Sequence, residues 1–216
     1  MNQSVSAVLF LESKALQSGR VVELLRRAYP EVIEAAAVYS ETDVIGLVSA
    51  SQGRLGDILL ELMQRRIPDF DREYGLETLF SIDDIRVSLI AGKLALYREN
   101  LMSLNGQVGA YVLVQTDERQ GTQSQVLRGL ARCEGVILAA ALIANRDVFV
   151  KVVAPNKISF DDKIMNQIQA VPGVKTTQSF IIINDKYFIR NSRDIEVNND
   201  VNNVVDNVSA WAKQRG

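Results

Sequence analysis

The feature that most constrains this chain is an internal repeat. Residues 31–48, EVIEAAAVYSETDVIGLV, advanced by 104 positions, fall on residues 135–152, GVILAAALIANRDVFVKV, without a gap. Val32 meets Val136 and Ile33 meets Ile137. Ala35, Ala36 and Ala37 meet Ala139, Ala140 and Ala141. Asp43 meets Asp147, Val44 meets Val148, and Val48 meets Val152. Upstream, AVLFL (7–11) meets YVLVQ (111–115); downstream, Ile67-Pro68 meets Val171-Pro172. Self-similarity at one long offset points to two copies of one module, each of about 75–80 residues.

Both copies read alike. Residues 5–12 and 109–116 are short, apolar and β-branched, so they read as strands. Val21, Leu24, Leu25 and Ala28 recur at helical spacing within 17–29, as do Val126, Leu127, Leu130 and Ala131 within 121–133. Two apolar runs then flank a polar break: 32–39 with 44–50, and 136–143 with 148–154. The breaks, Ser40-Glu41-Thr42-Asp43 and Ala144-Asn145-Arg146-Asp147, suit hairpin turns. A second helix buries Leu55, Ile58, Leu59, Leu62 and Met63 in copy one, and Phe160, Ile164, Ile168 and Val171 in copy two. The last strand covers about 73–82 and 175–183.

The order β-α-β-β-α-β is the ferredoxin-like pattern, an antiparallel sheet with both helices on one face. Val32–Val38 scarcely alternates between apolar and polar, so this strand expects burial on both faces. The expected fold is therefore α+β: two ferredoxin-like βαββαβ modules pairing sheet-to-sheet as a dimeric α/β-barrel-like unit. The expected division is module one at 1–82, a linker helix at 83–106, module two at 107–184 and a tail at 185–216. In the linker, Ser81 or Asp83 caps a helix carrying Ile90, Leu94, Tyr97, Leu101 and Leu104, and Asn105-Gly106 stops it. In the Asn-rich tail, Val201, Val204, Val205, Val208 and Trp211 line one face of a helix that docks on its own chain or on a neighbouring subunit.

Composition removes chemistry. The chain has no histidine, which takes away Ser-His-Asp and Cys-His catalysis and His-ligated haem. One cysteine, Cys133, leaves no intrachain disulfide and fits a reducing compartment. A net charge of −2 gives no basic surplus for nucleic acid. The opening MNQSVSAVLFLES lacks a basic n-region, and no window approaches the ~20 apolar residues of a membrane span. A cytoplasmic protein without membrane or direct DNA contact is expected.

Phosphate-loop, dinucleotide, HExxH and EF-hand motifs are absent from the sequence, so neither a metal, a cofactor nor a catalytic residue is assigned. Asp83-Asp84 and Asp161-Asp162 read as helix-start carboxylates, Arg26-Arg27 and Arg65-Arg66 as helix-end cations, and Cys133 as a small core side chain. The repeated polar feature is the aspartate closing each hairpin break, Asp43 and Asp147. It serves the turn itself, or it sits at a pocket mouth and accepts a ligand ammonium group. The candidate ligand residues are Asp43, Asp147, Thr42, Arg146 and Asn145.

A strand, a helix, then VILAAALIANRDVFVKVVA, a helix and VPGVKTTQSFIIIN resembles the effector-binding module of Lrp/AsnC transcription regulators over 109–184, and more faintly over 5–82. Val171-Pro172-Gly173-Val174 before the last strand, and Asp147 before an apolar strand, carry the resemblance. It implies a ferredoxin-like domain that pairs into barrel-like dimers and larger rings, and that binds small effectors, typically amino acids, near the hairpin loop. Three departures stand out. The first strand begins by about Val5, with no helix-turn-helix ahead of it. Two modules share one chain. The family's Gly-x-Tyr-Asp hairpin keeps only its Asp, with Glu41 and Thr42, or Asn145 and Arg146, in the Gly and Tyr places. The resemblance thus implies a non-enzymatic protein that binds a small molecule, forms homo-oligomers and acts through a partner regulator. The alternatives are an enzyme of the dimeric α/β-barrel type working without histidine, by groups such as Arg146, Tyr39 or Tyr111, and a purely structural assembly module.

Overall fold

The computed structural model describes residues 4–13, 17–64, 82–91, 96–97, 104, 106–117, 122–143 and 147–190. The chain divides into two compact units. Unit 1 runs to Ser88 and takes in the segment from Asp185; unit 2 spans Leu89–Asn184.

Unit 1 contains β1 (Ser4–Ser13), α1 (Ser18–Ala28), β2 (Val32–Tyr39), β3 (Val44–Ser51), α2 (Gln52–Gln64) and β4 (Ile82–Leu89). Its strands lie in the order β4-β1-β3-β2. After the short β5 (Leu96–Tyr97), unit 2 contains β6 (Val108–Thr116), α3 (Thr122–Leu130), β7 (Val136–Ala141) and β8 (Asp147–Ala154). A π-helical segment (Ser159–Met165), the short α4 (Asn166–Gln169) and β9 (Val174–Ile189) complete it. Its order, β9-β6-β8-β7-β5, repeats the same arrangement with one more edge strand. Each unit is a ferredoxin-like α+β module.

The two hairpins share one register. Val32 pairs Val48 and Ala35 pairs Gly46, with a bulge between; Val136 pairs Val152 and Ala139 pairs Val150, with a bulge at the same place. The 104-residue offset therefore holds for β2–β3 and β7–β8. It does not hold for the first strands. Ala7 pairs Val48, whereas Ala110 pairs Val152. AVLFL thus corresponds to AYVLV (110–114), not to YVLVQ, and the connection from first to second strand is one residue longer in unit 2. Because side chains alternate between faces, this one-residue correction decides which residues face the helices.

In unit 2 the helix-facing core joins Val112, Val114, Val148, Val150 and Val152 to Val126, Leu127 and Leu130 of α3, and to Phe160, Ile164 and Ile168. The four-residue spacing of those last three keeps them on one face across the π-helical segment and α4. The opposite face of β6 and β8 carries Tyr111, stacked on Phe149 at 5.3 Å, and Lys151, whose Nζ lies 5.8 Å from the Tyr111 ring centroid. Every residue of β7 and β8 is buried, as is β2 up to Val38. No helix among the described residues is long and apolar enough to cross a membrane.

Two expectations need correction. Residues 82–89 form a strand, not the start of a linker helix. Ile82, Ile85 and Val87 are β-branched, and Asp83-Asp84 are exposed strand residues instead of a helix cap. Beyond them, Leu96–Tyr97 pairs with Leu138 and Ala139. The last strand of the first module thus lies later than 73–82, of which only Ile82 is described; Ile67-Pro68 also lies outside the described residues. Second, β9 continues past the expected module end, so 185–189 is strand. The proposed tail helix lies outside the described residues.

That extension does a specific job in unit 1. The Arg190 amide donates to Ile33 O at 2.7 Å, its Nε to Val32 O at 2.9 Å, and its Nη2 to Tyr29 O at 3.4 Å and to Arg26 O. The last carbonyls of a helix have no partners within it, and α1 ends here with Tyr29 as C-cap. One guanidinium therefore satisfies the end of α1 and the edge of β2, and its charge suits the negative end of the helix. Arg190→Ala is expected to cost about 1–2 kcal/mol in urea denaturation, with Arg190→Lys recovering part of it. An unchanged midpoint in both variants would show that these contacts contribute nothing.

Candidate functional site

The hairpin ends of the two units are built from equivalent residues and are chemically different. In unit 1, Asp43 follows the turn and its Oδ2 accepts from the Ser13 amide at 2.6 Å. Its backbone is paired too, its amide donating to Leu11 O and its carbonyl accepting from the Val38 amide. This is the turn role of an aspartate. Thr42, 1% exposed, accepts from Arg86 Nη2 at 2.9 Å. Arg86 also reaches Glu12 at 3.5 Å and lies over the Phe10 ring at 5.9 Å. The chain's own groups thus engage both candidate side chains of this end.

In unit 2, Asp147 opens β8 opposite Gln115 of β6 and is 9% exposed. Its Oδ1 is buried with no hydrogen-bond partner among the described residues. Burial pushes its carboxyl above the ordinary carboxylate range. The Gln123 side chain ties the start of α3 to the hairpin, Nε2 donating to Leu142 O at 2.9 Å and to Asp147 O at 2.7 Å. One residue on, the buried Ser124 Oγ likewise has no partner among the described residues. Asn145 and Arg146, the other two candidates, lie outside the described residues.

The structure therefore separates two candidates that look alike in sequence, Asp43 serving its turn and Asp147 retaining an acceptor that no described residue uses. An unmatched buried carboxylate oxygen can accept a hydrogen bond from a ligand ammonium group. Held protonated, the same group can donate a proton. Sequence reasoning missed Arg86, because residues 83–89 read as helix. It also missed Gln123, which carries no motif; only its contacts from the start of α3 to the hairpin give it a role.

Residues 109–188 match the model of the Lrp/AsnC ligand binding domain. No curated protein sequence matches the chain. Among solved structures, the siroheme decarboxylase NirDL aligns over 97% of this chain and 80% of its own, with a TM-score of 0.63 at 11% identity. Its co-complex with an iron-uroporphyrin III analogue aligns over 98% and 78%, with a TM-score of 0.60 at 11% identity. An anthrone oxidase-like protein aligns over 84% and 91%, with a TM-score of 0.51 at 12% identity. These likenesses are of fold. They correct one expectation: a chain of this fold cannot be set down as non-enzymatic when a decarboxylase shares the fold along nearly its whole length.

The state of Asp147 has a measurable consequence. Its folded value lies above its unfolded one, so its contribution to stability is greatest below the ordinary carboxylate range. That contribution is lost as pH rises from there through the folded value. Asp147→Asn removes the loss. At neutral pH the variant is expected to gain about 1 kcal/mol, a rise in Tm of about 2–4 °C for a chain of this size, and to gain nothing near pH 3. A lowered Tm at neutral pH would mean that the carboxylate has a stabilising partner.

Proposed function

We propose that this protein binds a small molecule at the hairpin end of unit 2, in a module of Lrp/AsnC ligand-binding type, with Asp147 as the recognising group. The observation that carries this is the buried, unused Asp147 Oδ1, beside a hairpin pinned to α3 by Gln123. The ligand class that matches is amino-acid-like: an ammonium group for Asp147, and a polar group for Ser124 at the start of α3. Thr42 and Asp43 are occupied in unit 1, so the stoichiometry is one ligand of this kind per chain, although both units have the same fold. Asn145 and Arg146 flank the site in sequence and complete it in this reading. The chain would self-associate, as the module type implies. With no basic surplus, it would act on transcription through a partner regulator.

A second reading is favoured by the full-length fold likeness to NirDL: the bound molecule is also transformed. The chain has no imidazole to shuttle protons, and among its described carboxyl groups Asp147 is the one whose proton affinity burial raises.

A thermal-shift screen of the purified chain against the amino acids and iron-uroporphyrin III tests both. A ligand bound only by the folded state adds about 2.7 kcal/mol at a hundredfold excess over its Kd. The response is expected to vanish in Asp147→Asn and persist in Asp43→Asn. A response that survives Asp147→Asn would contradict the site. Mass spectrometry of the incubated ligand separates the two readings: an altered mass supports turnover, and an unchanged one supports binding alone.

A further inference from the structure

The end of the unit 2 sheet opposite the hairpin holds a cleft of ≈ 230 Å³. Ile137, Val153 and Ile164 supply its apolar wall, and Glu134, Gly135 and Ser159 border it. Neither this end nor these residues enter the reading of Asp147.

The equivalent place in unit 1 is filled, and the backbone shows which residues correspond. The Ser49 amide donates to Glu31 O at 3.0 Å, as the Val153 amide donates to Gly135 O at 2.9 Å. The Arg54 amide donates to Ser51 Oγ at 3.4 Å, as the Ser159 amide donates to Asn156 Oδ1 at 2.8 Å. Glu31 thus corresponds to Gly135, and Arg54 to Ser159. In unit 1 these two side chains bind each other, Arg54 Nε to Glu31 Oε1 at 2.7 Å, while Arg54 Nη1 reaches Glu61 Oε1 at 3.1 Å. Buried Tyr29 lies with them, and burial together with the Glu61 charge pushes its hydroxyl well above the ordinary range. An alkyl stem ending in a guanidinium therefore occupies this place in unit 1.

In unit 2 both side chains are gone. Gly135 has φ +75°, and a Cβ there would lie 2.5 Å from Ile164 Cδ1 and 2.7 Å from Val153 O, so the position admits only glycine. Ser159 is too short to fill what Arg54 fills. The cleft keeps an apolar wall and a carboxylate, Glu134, and none of its described lining residues is a cation. It is smaller than the roughly 300–1,000 Å³ of a drug-sized pocket, so it suits a small metabolite. We infer that this cleft binds a small organic cation, an alkylguanidine or alkylamine. Its stem lies on Ile137, Val153 and Ile164 and its head meets Glu134, doing with a ligand what Arg54 does within unit 1.

Calorimetric titration of the full chain with n-butylguanidinium, and with butyrate as the anionic control, tests this. Butylguanidinium is expected to bind saturably, with Kd in the millimolar range, and butyrate not at all. Ser159→Arg, which supplies the missing side chain, is expected to weaken binding more than about tenfold, and Glu134→Gln about tenfold. Asp147→Asn is expected to leave it within about twofold, because that carboxylate sits at the other end of the sheet. Glu134→Gln is a conservative change at an exposed position, so the test stands even if Ser159→Arg fails to fold. Absence of saturable binding, or equal binding of butyrate, would overturn the inference. So would a loss in Asp147→Asn with none in Glu134→Gln, which would instead place the cation at the hairpin end.

Discussion

Strands β7 and β8 expose neither face, and much of what is distinctive in unit 2 follows from that. A strand buried on both sides can satisfy its backbone through its neighbours, but a polar side chain along its length has no water to turn to. Polar chemistry is therefore driven to the two ends of the hairpin, where Asp147 stands at one and the Gly135–Ser159 cleft at the other. The exception proves costly in kind: Lys151 is fully buried midway along β8 and is accompanied by the Tyr111 ring, a surface that attracts a cation. Glu34, midway along β2 in unit 1, is buried to the same degree. Neither residue stood out in an apolar run, since VIEAAAV and VFVKVV read as core strands with one charge each.

The two units use one architecture and treat their ends differently. In unit 1, Arg86 reaches Thr42 at the hairpin end and Arg54 bridges Glu31 and Glu61 at the other. These arginines fill space and satisfy carboxyl and hydroxyl groups at once. In unit 2 the position of Arg54 is a serine and that of Glu31 a glycine, and the Asp147 oxygen goes unused among the described residues. A duplicated module in which one copy is closed by its own side chains and the other left open is a physical basis for a division of labour between structure and recognition.

The hairpins were legible in sequence because a strand pair fixed by a bulge keeps its length, so the 104-residue offset survives from Val32 to Val48 and from Val136 to Val152. The 104-residue offset sets the first strands one residue out of frame because Ala7–Phe10 meets apolar residues in either frame, and only Gln115, falling on Leu11, speaks against it; strands buried on both faces lose the alternation that would fix the frame. β4 was read as helix because Asp83-Asp84 resembles a capping pair, while its pairing in the sheet depends on residues far away in the chain. Asp43 and Asp147 were equally good candidates in sequence. What distinguishes them is the Ser13 amide, at the end of β1, at one and the absence of a described partner for Oδ1 at the other.

The recognition role of Asp147 depends on its carboxyl being buried with no stabilising partner among the described residues. An NMR titration of its side-chain carboxyl carbon measures this directly. The expected midpoint lies above the ~3.9 of an unperturbed aspartate and returns toward it when a cationic ligand occupies the site. A midpoint at or below that value in the free protein would mean that Asp147 is already paired, and would contradict its recognition role.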